Sequence, residues 1–307
     1  MKDVKIHEVG LRDGLQMEKS IVSTEVKIGW IDQLLGSGVD LIQVGSFVHP
    51  EKVPQMKDTD EIFNHYLKNG KGNSSAVLSG LVLNERGMER GLKCGVELFC
   101  LGVSASETHS MKNTGMSVND ALRRIIGMAK EISGSGKPVQ VSVQSAFGCG
   151  FEGRINENKV LDIVKQYLAA GIRRISLADT AGHGDPVQVE KMMGKIRELD
   201  TDAELAVHFH NTYGMALANA YVAVQSGAAY VETAFAGLGG CPFTKQPAGN
   251  LCTEDYVHAL QRFNVRQDVN LGSLIDLAGS VSRQLGRDLP GYVYKSGPIN
   301  YIKGEKK

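Results

Sequence analysis

Apolar and polar positions along this chain follow two periods. Runs of strand length and apolar character fall at residues 4–10, 40–44, 76–82, 97–103, 139–145, 174–178, 205–210 and 230–234. Between them, in segments such as 24–35, 118–132, 159–170, 186–199 and 215–226, apolar residues recur with the helical period, which predicts amphipathic helices. Regular alternation of strand and helix implies a parallel sheet. Eight such units close as an α/β fold of the (β/α)8 TIM barrel type. A doubly wound open sheet competes with that reading, but it calls for Gly-x-Gly-x-x-Gly after the first strand, where this chain has Gly10-Leu11-Arg12-Asp13-Gly14. Helix punctuation agrees with the pattern. Ser23, Asn156 and Asp185 stand where helices should start, and Gly36, Gly38, Gly171 and Gly227 where they should stop. The expected organisation is a barrel with terminal helices over residues 1–285 and a C-terminal extension over 286–307. The extension opens on Gly286-Arg287-Asp288-Leu289-Pro290-Gly291-Tyr292, ends rich in Lys and lacks a helical period, so it should wrap the barrel, fray, or cover a subunit interface.

Composition narrows the function. A chain of 307 residues accommodates a barrel of ~250 residues plus extensions. The hydrophobic fraction of 42% supports a large core, and Lys plus Arg equal Asp plus Glu at 34 each, so no basic field suggests nucleic acid or an anionic membrane as a partner. That neutrality fits an enzyme of small metabolites. Cys94, Cys100, Cys149, Cys241 and Cys252 are odd in number and lack paired zinc-type spacing, which points to reduced thiols. The first strand begins within a few residues of Met1 and no apolar stretch is long enough to cross a bilayer, so the expected setting is cytoplasmic.

The strongest chemical signal is His208-Phe209-His210 at the end of an apolar run. Strand side chains repeat every second residue, so both imidazoles leave one face and can chelate one ion. Alone, the pair reads equally well as hydrogen-bonded structural histidines. In a barrel, active sites sit at the C-terminal rim. There Asp13 follows the first strand, His208 and His210 end the seventh, and Asn250 follows the eighth, on strands that neighbour one another once the sheet closes. One carboxylate, two imidazoles and one amide oxygen suit Mg²⁺, Mn²⁺ or a similar divalent cation better than structural zinc, which favours thiolates.

Several segments together carry a family resemblance: His7-Glu8-Val9-Gly10-Leu11-Arg12-Asp13-Gly14-Leu15-Gln16, Gly45-Ser46-Phe47 with Val53-Pro54-Gln55-Met56, Asp179-Thr180, His208-Phe209-His210-Asn211-Thr212-Tyr213-Gly214, and Gly237-Leu238-Gly239-Gly240-Cys241-Pro242. They resemble the 3-hydroxy-3-methylglutaryl-CoA lyases, one of the metal-dependent lyase and synthase barrels. The glycine-rich loop with its cysteine is the most specific part. The resemblance implies retro-Claisen cleavage of a 3-hydroxy-3-substituted acyl-CoA into acetyl-CoA and a 3-oxo acid. It implies a divalent cation on Asp13, His208, His210 and Asn250, Arg12 facing the enolate oxygen, Asp13 or His208 handling the hydroxyl proton, and Cys241 closing over the site as a relay or acid. Asp179 is a further catalytic candidate, and Gln16 and Gln43 are expected to meet the substrate. Each has a structural competitor: Arg12 as a rim ion pair with Asp13 or Asp179, Asp179 as a cap on the following turn, Cys241 as a small residue in a tight loop. Cys149 reads as packing, His7, His65, His109, His183 and His258 as surface or rim residues, and His49 as a pocket candidate.

The chain also departs from the family pattern. Gln43 stands where glutamate is usual, Asn211 for aspartate, Met17 for asparagine, Ser145 for cysteine and Phe243 for tyrosine. Loss of the carboxylate at Gln43 leaves Arg12 less neutralised, so either turnover is tuned or the substrate differs; Met17 and Phe243 make the pocket more apolar, which opens the reading of a 3-substituent bulkier than methyl. Two other functions compete: a condensing enzyme of the isopropylmalate or citramalate synthase type, and a non-catalytic binding protein on the same barrel. The expected partners are an acyl-CoA substrate and a second copy of the chain in a homodimer, with no nucleic acid and no membrane. No phosphate-cradling motif marks the CoA site; Lys or Arg on rim loops would serve.

Overall fold

A computed structural model describes residues 4–240 and 249–299. Eight parallel strands close in sequence order: β1 (Lys5–Glu8), β2 (Leu41–Ser46), β3 (Val77–Leu81), β4 (Leu98–Ser104), β5 (Val139–Gln144), β6 (Arg174–Asp179), β7 (Glu204–Phe209) and β8 (Tyr230–Thr233). The ring shuts where β1 pairs with β8 in the register Lys5↔Tyr230, Ile6↔Val231, His7↔Glu232, Glu8↔Thr233. Around it run α1 (Thr24–Ser37), α2 (Thr59–Asn69), α3 (Glu85–Lys93), α4 (Glu107–Thr114), α5 (Val118–Gly134), α6 (Glu157–Ala169), α7 (Pro186–Leu199), α8 (Ala216–Gln225), α9 (Thr253–Arg262), α10 (Leu271–Leu285) and the short α11 (Val293–Ser296). The expected barrel is the one found.

The predicted helix starts form as capped N-termini. Ser23 accepts from Val26 N, Asn156 from Asn158 N, and Asp185 from Val187 N and Gln188 N, each satisfying donors that the first helical turn leaves unpaired. Gly38 ends α1 at φ +90°, a left-handed conformation costly for any other residue, whereas Gly36 lies inside the helix rather than at its stop. The segment after Gly286 contains one short helix that the sequence pattern does not announce. It is pinned where Asp255 of α9 accepts from Tyr292 N and Val293 N, and Gly291 N donates to Ala236 O behind β8.

Strand alternation sorts the side chains into two environments. Ile42, Phe99, Ile175, Val207 and Val231 point outward into the main core shared with the helices. Leu41, Leu98, Ala206 and Tyr230, one residue out of phase with several of these, form a separate apolar plug in the barrel's lower interior. Above the plug the interior is polar. His7 on β1 bonds Ser79 Oγ on β3 at 2.8 Å, and Gln140 on β5 donates to Glu232 on β8 at 2.7 Å. Bonds between strands that are not neighbours must pass through the lumen.

Candidate metal centre and active-site cavity

After β1 the chain makes a single π-helical turn, Gly10–Gly14, in which the amides of Arg12 and Asp13 both donate to Val9 O. Such widened turns re-aim side chains and recur at functional sites. A Cβ at Gly10 would meet Glu8 Oε1 at 2.7 Å and the Phe235 ring at 2.8 Å, so only glycine lets the turn sit this close to β8. The turn delivers Arg12 and Asp13 to the mouth of the lumen. Across from it, His208 and His210 point the same way from the end of β7, their Nε2 atoms 3.2 Å apart and 4.0 and 3.8 Å from Asp13 Oδ2. Asn250 completes the group through an isolated β-bridge to His210. Its Nδ2 donates to Asp13 Oδ2 at 2.8 Å and to Leu238 O at 2.9 Å, and its Oδ1 is buried with no hydrogen-bond partner among the described residues.

These four residues are at most 6% exposed. The ligand atoms of Asp13, His208 and His210 lie within 4.8 Å of one another. Two imidazole nitrogens and a carboxylate meeting in one buried place fit a borderline or hard divalent ion, and the Asn250 amide adjoins them through Nδ2. Burial alone would push the Asp13 carboxyl up, but Arg12, the two imidazoles and Asn250 outweigh it and hold it well below the usual carboxylate range. Asp13 is therefore an anion at neutral pH. Gln16 supports it, donating to Oδ1 at 3.1 Å.

Arg12 donates through Nε to Gln43 Oε1 and through Nη1 to Asp13 Oδ1, so the amide at position 43 orients the guanidinium without neutralising it. Arg12, Asp13, Gln16, Gln43, His208 and His210 all line one cavity of about 320 Å³. Gln140, Ser142, Gln144, Ser176 and Thr180 form its far wall. Met17, with Val48, Val53 and Leu83 on loops that follow β2 and β3, gives it an apolar mouth. Leu81, Cys100, Leu101 and Ala178 line it as well, so apolar surface is interspersed with the polar groups.

Other sequence-based candidates fall elsewhere. Asp179 is fully buried, and its two oxygens accept from His183 N and Gly184 N at 2.9 Å each. These contacts organise the loop after β6, as its turn-capping reading calls for, and Asp179 is not among the residues lining the cavity. Its carboxyl is pushed up to about 6 by burial, against the pull of those amides. His7 is fully buried inside the barrel, not at surface or rim, because β1 turns it inward onto Ser79. His109 is 5% exposed and lines the cavity, whereas His49 is exposed and folds back on Glu51 N. Asn211 accepts from Ala216 N at the start of α8, so that departure from the family pattern acts on a helix terminus. Cys241 and Phe243 lie outside the described residues.

One buried acid escaped the motif reading. Glu232 on β8 touches His208 Nδ1 at 2.9 Å and lines the cavity floor. A charged residue in mid-strand, in phase with inward Tyr230, was the available signal.

Comparisons with known proteins agree with this geometry. A sequence profile described as HMGL-like matches residues 3–281. The mitochondrial hydroxymethylglutaryl-CoA lyase of Homo sapiens is 39% identical over 286 residues, covering 93% of this chain and 87% of that protein. A hydroxymethylglutaryl-CoA lyase of Bacillus subtilis is 34% identical over 298 residues, covering 96% and 98%. Among solved structures, an HMG-CoA lyase from Acinetobacter baumannii in complex with coenzyme A and 3-methylmalate superposes with a TM-score of 0.89 at 34% identity, covering 97% of each chain.

Proposed function

The chain belongs to the HMGL-like family, and from that membership we propose that it is a carbon–carbon lyase. Its substrate is a 3-hydroxy-3-substituted glutaryl-CoA thioester, which it cleaves to acetyl-CoA and a 3-oxo acid. The observation that carries the reading is the convergence of Asp13, His208 and His210 beside Arg12 in one cavity. Asp13, His208 and His210, with Asn250 once its amide turns Oδ1 toward them, would hold a Mg²⁺ or Mn²⁺ ion, which when bound acidifies and orients the substrate's tertiary hydroxyl.

The protein's own groups account for the rest. Asp13 takes the hydroxyl proton, that oxygen becomes a carbonyl as the C2–C3 bond breaks, and the bond's electron pair moves into the thioester as an enolate. Of the five N–H groups of Arg12, Gln43 and Asp13 take two, leaving the others for the enolate oxygen. A fixed donor placed where charge develops lowers the barrier without reorganising. The enolate carbon then takes a proton to release acetyl-CoA, a step assigned to Cys241 as the sequence suggests. The polar far wall suits the carboxylate arm, and the apolar mouth suits pantetheine and a 3-substituent larger than methyl.

We assign the site to a homodimeric, cytoplasmic enzyme. Leu217, Tyr221 and Phe263, on α8 and at the end of α9, are 42–50% exposed and support an interface between copies. The described cysteines are free and buried, as a reducing compartment permits. Light scattering and cell fractionation test these two points.

The deciding assay incubates the protein with a panel of 3-hydroxyacyl-CoA thioesters, with and without chelator, and reads products by mass spectrometry. Acetyl-CoA plus the matching 3-oxo acid is expected, lost with chelator and restored by Mg²⁺ or Mn²⁺. Absence of acetyl-CoA from every member overturns the reading. Strong preference for the 3-methyl member overturns the larger substituent alone.

A further inference from the structure

Beneath the Asp13–His208–His210 cluster, three strands send side chains to one carboxylate. Glu232 is 6% exposed. Its Oε1 accepts from Gln140 Nε2 of β5 at 2.7 Å and from Ser176 Oγ of β6 at 3.0 Å, and its Oε2 lies 2.9 Å from His208 Nδ1 of β7. An ionised carboxylate only accepts, so every partner must donate. For His208 that requires a proton on Nδ1 and makes Nε2 the nitrogen that ligates when the ring is neutral. Nε2 is the nitrogen that faces His210 Nε2 and Asp13 Oδ2.

The geometry points to Glu232 as a positioning residue that sets the tautomer and ring orientation of His208, so that Nε2 is presented to a divalent cation. The inference rests on the reading of the cluster as a metal centre and adds to it a residue outside the ligand set. Gln140 and Ser176 lock the carboxylate in turn, so the orientation of one ligand depends on side chains from four strands. Carboxylates behind ligating histidines act this way in metal sites generally, and their loss weakens metal affinity about 10–100-fold.

An isosteric substitution separates this role from mere packing. In Glu232→Gln the side chain keeps its volume, and its carbonyl oxygen continues to accept from Gln140 and Ser176. Its NH₂ then falls opposite His208 Nδ1. A donor there makes Nδ1 an acceptor and moves the proton to Nε2, which blocks the ligating atom while the hydrogen-bonded hub stays intact. Histidine-ring ¹⁵N–¹H correlation spectra of the metal-free protein at alkaline pH, where the ring is neutral, read the tautomer directly, and calorimetric titration with Mn²⁺ reads affinity without substrate.

Wild-type His208 is expected as the Nδ1–H tautomer and Glu232→Gln as Nε2–H, with Mn²⁺ affinity about 10–100-fold weaker. Glu232→Asp keeps an acceptor and should regain part of that affinity. An Nε2–H tautomer in the wild type overturns the proposal even if no variant folds. Glu232→Gln binding Mn²⁺ as tightly as wild type overturns it as well. Wild-type protein that shows Nδ1–H and binds no Mn²⁺ overturns the metal reading on which the proposal rests. Normal Mn²⁺ binding with no cleavage of any acyl-CoA sinks the lyase assignment instead and leaves the role of Glu232 standing.

Discussion

Replacing Arg12 by Lys keeps the charge and removes the geometry, which makes it the sharpest test of the enolate-stabilising role. Arg12 spends Nε on Gln43 and one Nη1 hydrogen on Asp13, and its side chain is 12% exposed, so the guanidinium plane is held on two sides. A lysine ammonium is a single point with three donors. It can stay near Asp13, but it cannot also meet Gln43 and keep a fixed fork toward the substrate. Loss of one preorganised donor at a developing oxyanion costs about 2.7–4 kcal/mol, or ~10²–10³ in kcat. Because the cation next to Asp13 survives, Mn²⁺ affinity should change by no more than about threefold, and KM should move little. Steady-state kinetics with acetyl-CoA detection, run beside Mn²⁺ calorimetry, separates the two effects. An R12K enzyme with kcat within about tenfold of wild type would refute the role, because uniform binding contacts do not discriminate in this way.

Three further outcomes follow from the same contacts. Lys27 is 2% exposed and its ammonium meets both oxygens of Asp58, at 2.7 and 3.0 Å, so Asp58→Asn strands a buried cation; a loss of about 3 kcal/mol in urea unfolding is expected, and an unchanged midpoint would count against it. A Cβ at Gly249 would overlap the Gly237 carbonyl oxygen, so Gly249→Ala must displace the backbone next to Asn250, costing about 3 kcal/mol of stability by thermal melts along with Mn²⁺ affinity. Burial raises the Glu8 carboxyl from 4.5 to about 8, so the folded state holds a proton that the unfolded chain releases: stability is fully present below pH 4.5 and declines as pH rises toward 8. Glu8→Gln should flatten that decline in melts taken across the range, and an identical pH slope would show that Glu8 is not its source.

The alternation of strands and helices made the barrel legible, because each βα unit repeats a period that local chemistry enforces, down to the caps at Ser23, Asn156 and Asp185. Asp13, His208 and His210 were legible for a related reason: rim positions follow from where each strand ends. The lumen was not. In a parallel barrel both faces of every strand are buried, so period two in the sequence separates two sets of residues without saying which set is inside. His7 and Glu232 were hidden by that symmetry, and only the cross-lumen bonds to Ser79 and Gln140 break it. Asp179 shows how a strand-end position alone leaves two readings open. Its place at a strand end is right for catalysis, but the loop that follows curls its own amides onto the carboxylate.

The buried carboxyls divide according to what they touch, and the division bears on the chemistry. Asp13 and Glu232 face guanidinium or imidazole groups that outweigh the cost of burial; Asp13 is driven well below the usual range and Glu232 down to about 2. Glu8, Glu254 and Asp179 accept mainly from backbone amides and hydroxyls, and burial dominates, raising them to about 8, 7 and 6. An elevated carboxyl in a cleft often marks a general base. Here the elevated group brackets loops instead: Glu8 ties the π-helical turn to Phe235 N, and Glu254 holds Ala236 N behind the glycine-rich loop. Weak acids suit that work, because a neutral or lightly charged carboxyl can sit in an apolar shell and still accept from N–H groups. Asp13 and Glu232 must stay anionic to face cations and imidazoles. The same residue type therefore serves as scaffold beneath the loops and as charge inside the lumen, and the identity of its neighbours, not its depth, decides which.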